Sequence, residues 1–168
     1  MNIEIYPLEK IVIGAASIYL GMAQTEVESV LGKGQFIGSR YYYFNNELAL
    51  DYNGGKLDFV EFLSGTDGKL RPKIYNVSVF ETNAAELFEI LKMKNDGPIN
   101  DSERGYSYQF LNIGVGVFRE AVPEDVEEMI EESKKFGNPM SDDEIEYEMK
   151  RANYWSTIGC GSVGYYQR

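Results

Sequence analysis

The chain has 168 residues, is 43% hydrophobic and 14% aromatic, and carries a formal net charge of -11 with one cysteine and no histidine. That balance suits a single folded domain and excludes a disordered chain, which is poor in apolar and aromatic residues. Without histidine there is no Ser-His-Asp triad and no His-ligated zinc; one cysteine, Cys160, allows neither a Cys-rich zinc site nor an internal disulfide, and favours a reducing compartment.

Ile11 to Met22 is a mostly apolar run, shorter than a membrane span. Glu4 and Glu9 precede it where a signal peptide would be positive, so it reads as a strand entering a turn, in a cytoplasmic protein. Gln24 to Leu31 reads as a short helix, with Val27, Val30 and Leu31 on one face and Gly32 at its end. An aromatic strand, Phe36 to Phe44, follows. Leu48 to Tyr52 and Leu57 to Leu63 form a hairpin across Asn53-Gly54-Gly55. Lys73 to Phe80 reads as a strand. Asn83 caps a helix with Leu87, Ile90 and Leu91 on its apolar face, closed by Asn95-Asp96-Gly97-Pro98. Tyr106 to Phe110 and Val115 to Phe118 form a second hairpin. Pro123 opens an acidic helix with Val126, Met129, Ile130 and Ser133 on one side. Ser141-Asp142-Asp143-Glu144 is a capping box for a last helix. Tyr154 to Tyr166 reads as the final strand. The class expected is α+β: an antiparallel sheet with about four helices packed on it.

Two segments share an order of elements. Ile11 to Tyr52 and Val77 to Phe118 each read strand, helix, strand, strand, and in each the second strand is rich in tyrosine: Tyr41-Tyr42-Tyr43 and Tyr106-Ser107-Tyr108. This is either a weak internal repeat or two ordinary β-α-β-β pieces. Gly21-Met22-Ala23-Gln24-Thr25-Glu26-Val27 through Leu31-Gly32, followed by the tyrosine strand, resembles the helix-plus-sheet unit of the β-lactamase inhibitor proteins and the related small lipoproteins of outer-membrane assembly. Ala23 departs from that pattern, which has Ser or Thr as the helix cap. The resemblance implies a sheet used as a platform for protein contact. From Asp101-Ser102-Glu103-Arg104-Gly105-Tyr106 to Trp155 the chain resembles uncharacterised bacterial proteins, some of which accompany toxins as immunity proteins, and the resemblance implies binding of a toxin domain.

Charge is unevenly spread. Up to Phe80 there are 7 basic and 9 acidic residues; beyond it there are 9 and 18. No basic patch suited to nucleic acid or to an anionic membrane is visible, and a basic protein is the natural complement. The candidate partner-binding residues are Glu124, Asp125, Glu128, Glu131, Glu132, Asp142, Asp143 and Glu146, with the strand tyrosines Tyr106 and Tyr108. Acids gathered on helices also keep a protein soluble. Ligands for a hard cation usually converge from different elements, so no metal or cofactor is expected. Cys160 lacks a partnering base and reads as a packed strand residue. The function expected is non-catalytic protein binding, as an immunity protein that neutralises a basic toxin domain. The alternative is a small-ligand binder or enzyme with Arg104 and Arg119 beside carboxylates in a pocket.

Overall fold

The computed structural model describes residues 1–168. β1 (Ile3–Tyr6), β2 (Lys10–Ile13) and β3 (Ala16–Tyr19) form a meander that buries alternate residues: Ile3, Ile5, Ile11, Ile13 and Ile18. α1 (Gln24–Leu31) starts without a side-chain cap; the Ala23 N–H instead donates to the Glu26 carboxylate at 2.8 Å. β4 (Gln35–Ile37), β5 (Arg40–Tyr43), β6 (Leu48–Asn53) and β7 (Lys56–Phe62) are a second meander. Its β6–β7 turn needs positive φ at both Gly54 and Gly55, which glycine adopts freely. β8 (Pro72–Ile74) and β9 (Val77–Ser78) form a small hairpin. α2 (Ala84–Asn95) is capped by Asn83 and buries Ala84, Leu87 and Leu91. β10 (Ile99–Asn100), β11 (Ser107–Phe110) and β12 (Val115–Phe118) lead to α3 (Pro123–Lys135), α4 (Asp142–Asn153), β13 (Thr157–Gly161) and a 3-10 turn at Tyr165–Gln167.

The α+β class with four helices holds, with pairing antiparallel except between β1 and β8. The strands make two sheets: a five-stranded one, β3-β2-β1-β8-β9, and an eight-stranded one, β10-β11-β12-β13-β7-β6-β5-β4. Their inner faces share a core of 25 buried residues with Val27 of α1 and Leu87 and Leu91 of α2. Three expected strands are each two strands, because a positive φ turns the chain between them. The turns fall at Gly14 in Ile11 to Met22, at Gly38 in Phe36 to Phe44, and at Tyr75 and Asn76 in Lys73 to Phe80. The expected final strand stops at Gly161, after which the chain turns through Gly164.

The eight-stranded sheet is two copies of one plan. α1 precedes the meander β4-β5-β6-β7, and α2 precedes β10-β11-β12-β13, with α3 and α4 inserted before the fourth strand. The copies abut at β7 and β13, where Phe62 pairs with Ile158, Glu61 with Gly159 and Val60 with Cys160. The four-residue turns between Tyr43 and Leu48 and between Phe110 and Val115 align the copies, so Ala49 matches Gly116 and their sheet partners Glu61 and Gly159 match each other; a pseudo-twofold axis passes through the Glu61–Gly159 pair. The row Gln35, Tyr42, Ala49, Glu61, Gly159, Gly116, Gln109, Asn100 crosses the outward face symmetrically about that axis. On one side Arg40 bridges Asp51 at 2.8 Å and Glu61 at 2.7 Å.

Candidate functional site

The acidic residues singled out in the sequence gather on one feature. α3 and α4 pack on each other as a helical hairpin, and α4 also touches the loop after β7, where the Tyr147 hydroxyl donates to Asp67 at 3.2 Å. Within the two helices only Val126 and Ala152 are fully buried; Ile130, Ile145 and Met149 are half-buried. Between Pro123 and Asn153 lie eleven acidic and four basic residues, so the hairpin holds -7 of the chain's -11.

The base of the hairpin is bolted to the sheet. Arg119, just beyond β12, donates to the Gly105 carbonyl at 2.8 Å and to the Ala152 carbonyl at 2.7 Å, and its guanidinium lies over the Trp155 ring. Burial lowers its pKa from the ordinary value. Asp125, in the first turn of α3, accepts the Val122 N–H at 3.0 Å and the Tyr106 hydroxyl at 2.8 and 2.9 Å. Those bonds, the Val122 N–H first, hold its carboxyl below the ordinary carboxylate range. Arg151 pairs with Glu120 at 2.9 Å.

At the far end the helices splay. Ser133 donates to the Ile130 carbonyl and accepts the Met140 N–H, tying the connecting loop to α3. The capping box forms: Ser141 and Glu144 exchange side-chain-to-backbone hydrogen bonds at 2.7 and 3.2 Å. The Ser141 N–H lowers the Glu144 pKa. Between the helix ends lies an open cleft of about 500 Å³. Met129, Phe136, Met140 and Tyr147 supply its apolar walls, and Glu132, Glu144 and Glu148 stand among them. Phe136 is 84% exposed, Tyr147 48% and Met129 43%, so a large apolar surface sits in water on the most acidic part of the chain.

The other candidates fall as follows. Glu124, Glu128, Glu131 and Glu132 are exposed along the outer side of α3, and Asp142, Asp143 and Glu146 are exposed on α4. Tyr106 and Asp125 are engaged with each other. The Tyr108 hydroxyl accepts the Gly105 N–H, and its ring packs 4.6 Å from Phe88 and edge-on to Trp155, so it is a packing residue. Arg104 is exposed and forms no ion pair, whereas Arg119 is consumed by two carbonyls and Trp155 and lines a small cleft with Phe88 and Tyr108 that does not include Arg104. Neither arginine pairs with the acid beside it: Arg119 turns to backbone carbonyls, and Glu120 pairs with Arg151. No three His, Cys, Asp or Glu side chains converge as metal ligands, and no helix is long and apolar enough to cross a membrane. Cys160 is buried, and burial pushes its thiol up to about 12.

Sequence reasoning placed the acids but missed the cleft. Phe136, Met140 and Tyr147 are not among the residues that the acidic pattern singles out. No protein-family model, curated protein or solved structure matches the chain.

Proposed function

We propose that this chain is a non-catalytic binding protein that takes a basic segment of a partner protein on the α3–α4 hairpin, in the manner of an immunity protein neutralising a basic toxin domain. One observation carries the reading: the apolar cleft lies within the most negative surface of the molecule. Exposed acids alone keep a protein soluble, and exposed apolar side chains alone are common. Together they favour a segment that carries positive charge and an apolar anchor. Field lines from the acids would steer it in, and the cleft would hold it. The hairpin suits the task because α4 meets the body on one flank, where the Tyr147 hydroxyl donates to Asp67 at 3.2 Å, while the acidic side of α3 and the tip stay exposed to a partner.

The toxin part of the reading rests on the sequence resemblance and is tested separately from the chemistry. For the chemistry, a synthetic amphipathic peptide of lysine and leucine is titrated calorimetrically against the full chain, with polylysine of equal charge as control. The expected result is that the amphipathic peptide binds at least tenfold tighter than polylysine, that both weaken steeply with salt, and that Phe136→Ser removes the difference. Equal binding of the two peptides, or no binding at low salt, overturns the proposal. For the partner, toxin domains encoded beside the gene are mixed with the chain at micromolar concentration and low salt; failure of all of them to bind removes the immunity reading.

A further inference from the structure

The outward face of the eight-stranded sheet is occupied at its centre. After β13 the segment Ser162–Arg168 turns back and lies across the sheet. The Tyr165 ring stacks on Phe59, with centroids 4.5 Å apart and planes at 6°, and Tyr166 stands edge-on to the same ring at 6.0 Å. The Tyr166 hydroxyl rests over Gly116 and Gly159, which are paired across β12 and β13; a Cβ on either glycine would collide with it. Asp58 closes the other end, accepting from both the Arg168 guanidinium and the Ser162 hydroxyl, while Arg168 lies over the Tyr165 ring at 5.3 Å. Burial raises the pKa of the Tyr166 hydroxyl far above the ordinary tyrosine value. A cleft of about 170 Å³ continues past that hydroxyl along the sheet, between Glu61, Gln109 and Phe118.

The backbone of this segment takes almost no part. Ser162 donates its N–H to the Asp58 carbonyl, but the remaining N–H bonds, Tyr165 to Ser162 and Gln167 to Gly164, are internal to the segment. Val163 is 81% exposed. Two aromatic anchors and one ion pair thus hold a short turn on a glycine floor, as a bound peptide is held by pockets for particular side chains.

We infer that the trough over Gly116 and Gly159 is a peptide-binding site, specific for two consecutive aromatic residues and, one residue further on, a basic one, held closed in cis by Tyr165, Tyr166 and Arg168 and open to a partner segment of that chemistry when the strap lifts. Asp58 gives the trough its preference for a cation, since Asp51 and Glu61 are already paired with Arg40. The assignment stands apart from the hairpin: either site can fail without the other.

The test uses the full chain with the strap released by Tyr165→Ser, Tyr166→Ser and Arg168→Ser together. A fluorescently labelled peptide of the sequence Ser162 to Arg168 is titrated against this variant and against the unaltered chain, with binding read by anisotropy. A tethered occupant competes at roughly millimolar effective concentration, so the released variant is expected to bind at least about tenfold tighter. Adding Gly116→Ala to the released variant, which fills the seat of the Tyr166 hydroxyl, is expected to abolish binding. Equal binding by both chains, binding that survives Gly116→Ala, or no binding by a released variant with an unchanged circular dichroism spectrum each overturns the inference. If the released variant does not fold, hydrogen exchange of the unaltered chain decides. The amides of Tyr165 and Gln167 must exchange at least tenfold faster, relative to their intrinsic rates, than those of Val60 and Ile158. Exchange of all four through one global opening makes the strap a structural element and ends the proposal.

Discussion

The guanidinium of Arg119 lies 4.9 Å from the centre of the Trp155 ring while its donors reach the carbonyls of Gly105 and Ala152. One side chain thus joins the end of β12, the loop before β11 and the last turn of α4. Charged hydrogen bonds contribute about 1.5–3 kcal/mol each and a half-desolvated cation–π contact about 1 kcal/mol, though such terms are not additive. Arg119→Ala is expected to cost about 3 kcal/mol, and Arg119→Lys to recover less than half, since an ammonium cannot span both carbonyls over a flat ring. Urea denaturation followed by the fluorescence of Trp155, the single tryptophan, measures both.

Val126 and Phe136 separate the two roles of the hairpin. Val126 is fully buried at its base and Phe136 is exposed at its tip. Val126→Ala is expected to cost about 2 kcal/mol of stability. Phe136→Ser should change stability by less than about 0.5 kcal/mol yet weaken binding of a basic amphipathic peptide about tenfold. A large loss of stability on Phe136→Ser, measured in the same urea experiment, would show that the tip is packed in solution.

Acid should loosen the hairpin base and the strap. The carboxyls of Asp125, Asp58 and Glu144 are all held below their ordinary values: by the Val122 N–H, by Arg168 and by the Ser141 N–H respectively. A lowered folded-state pKa adds stability that is fully present above the unfolded value, about 4, and is lost as pH falls through the folded values. The urea midpoint is therefore expected to be flat between pH 5 and pH 7, as far as these groups go, and to fall below about pH 4. Tyr106→Phe, which removes one of the bonds to the Asp125 carboxylate, should lessen that fall. An unchanged acid limb in Tyr106→Phe rules out the Tyr106–Asp125 bond as a contributor.

Cys160 sits between Val60 and Val115 in the register of the sheet, and its thiol is raised by burial. A thiol nucleophile reacts as thiolate and needs access. Labelling by a thiol reagent at pH 8 is expected only at the rate of unfolding, and fully in denaturant. Rapid labelling of the folded chain would mean that the β12–β13–β7 seam opens locally.

Much of this arrangement was legible in the sequence. Pro123 and Ser141 announced α3 and α4 through chemistry local to their first turns, and Asn53-Gly54-Gly55 announced the β6–β7 hairpin. The repeated order of elements surfaced as two tyrosine strands, β5 and β11, which occupy the same place in their meanders. What stayed hidden depends on contacts far apart in the chain. The five-stranded sheet needs β1 to pair with β8 across some 70 residues, and nothing local to Pro72 signals that. The tip cleft arises because two amphipathic helices pack on each other, so that residues patterned for an interior stand at a rim. The strap was hidden because Tyr165 and Tyr166 continue the alternation of β13, and only the positive φ of Gly164 turns them back over it.

The pseudo-twofold axis has a consequence for valency. By the register, Gly116 and Gly159, which seat Tyr166, are the counterparts of Ala49 and Glu61, and Ser107 is the counterpart of Arg40. One half of the face is pared down to bare backbone; the other is filled by an arginine clamped between two carboxylates. A duplicated sheet with two intact seats would receive two segments side by side and could cross-link them. With one seat filled in, each chain would receive one.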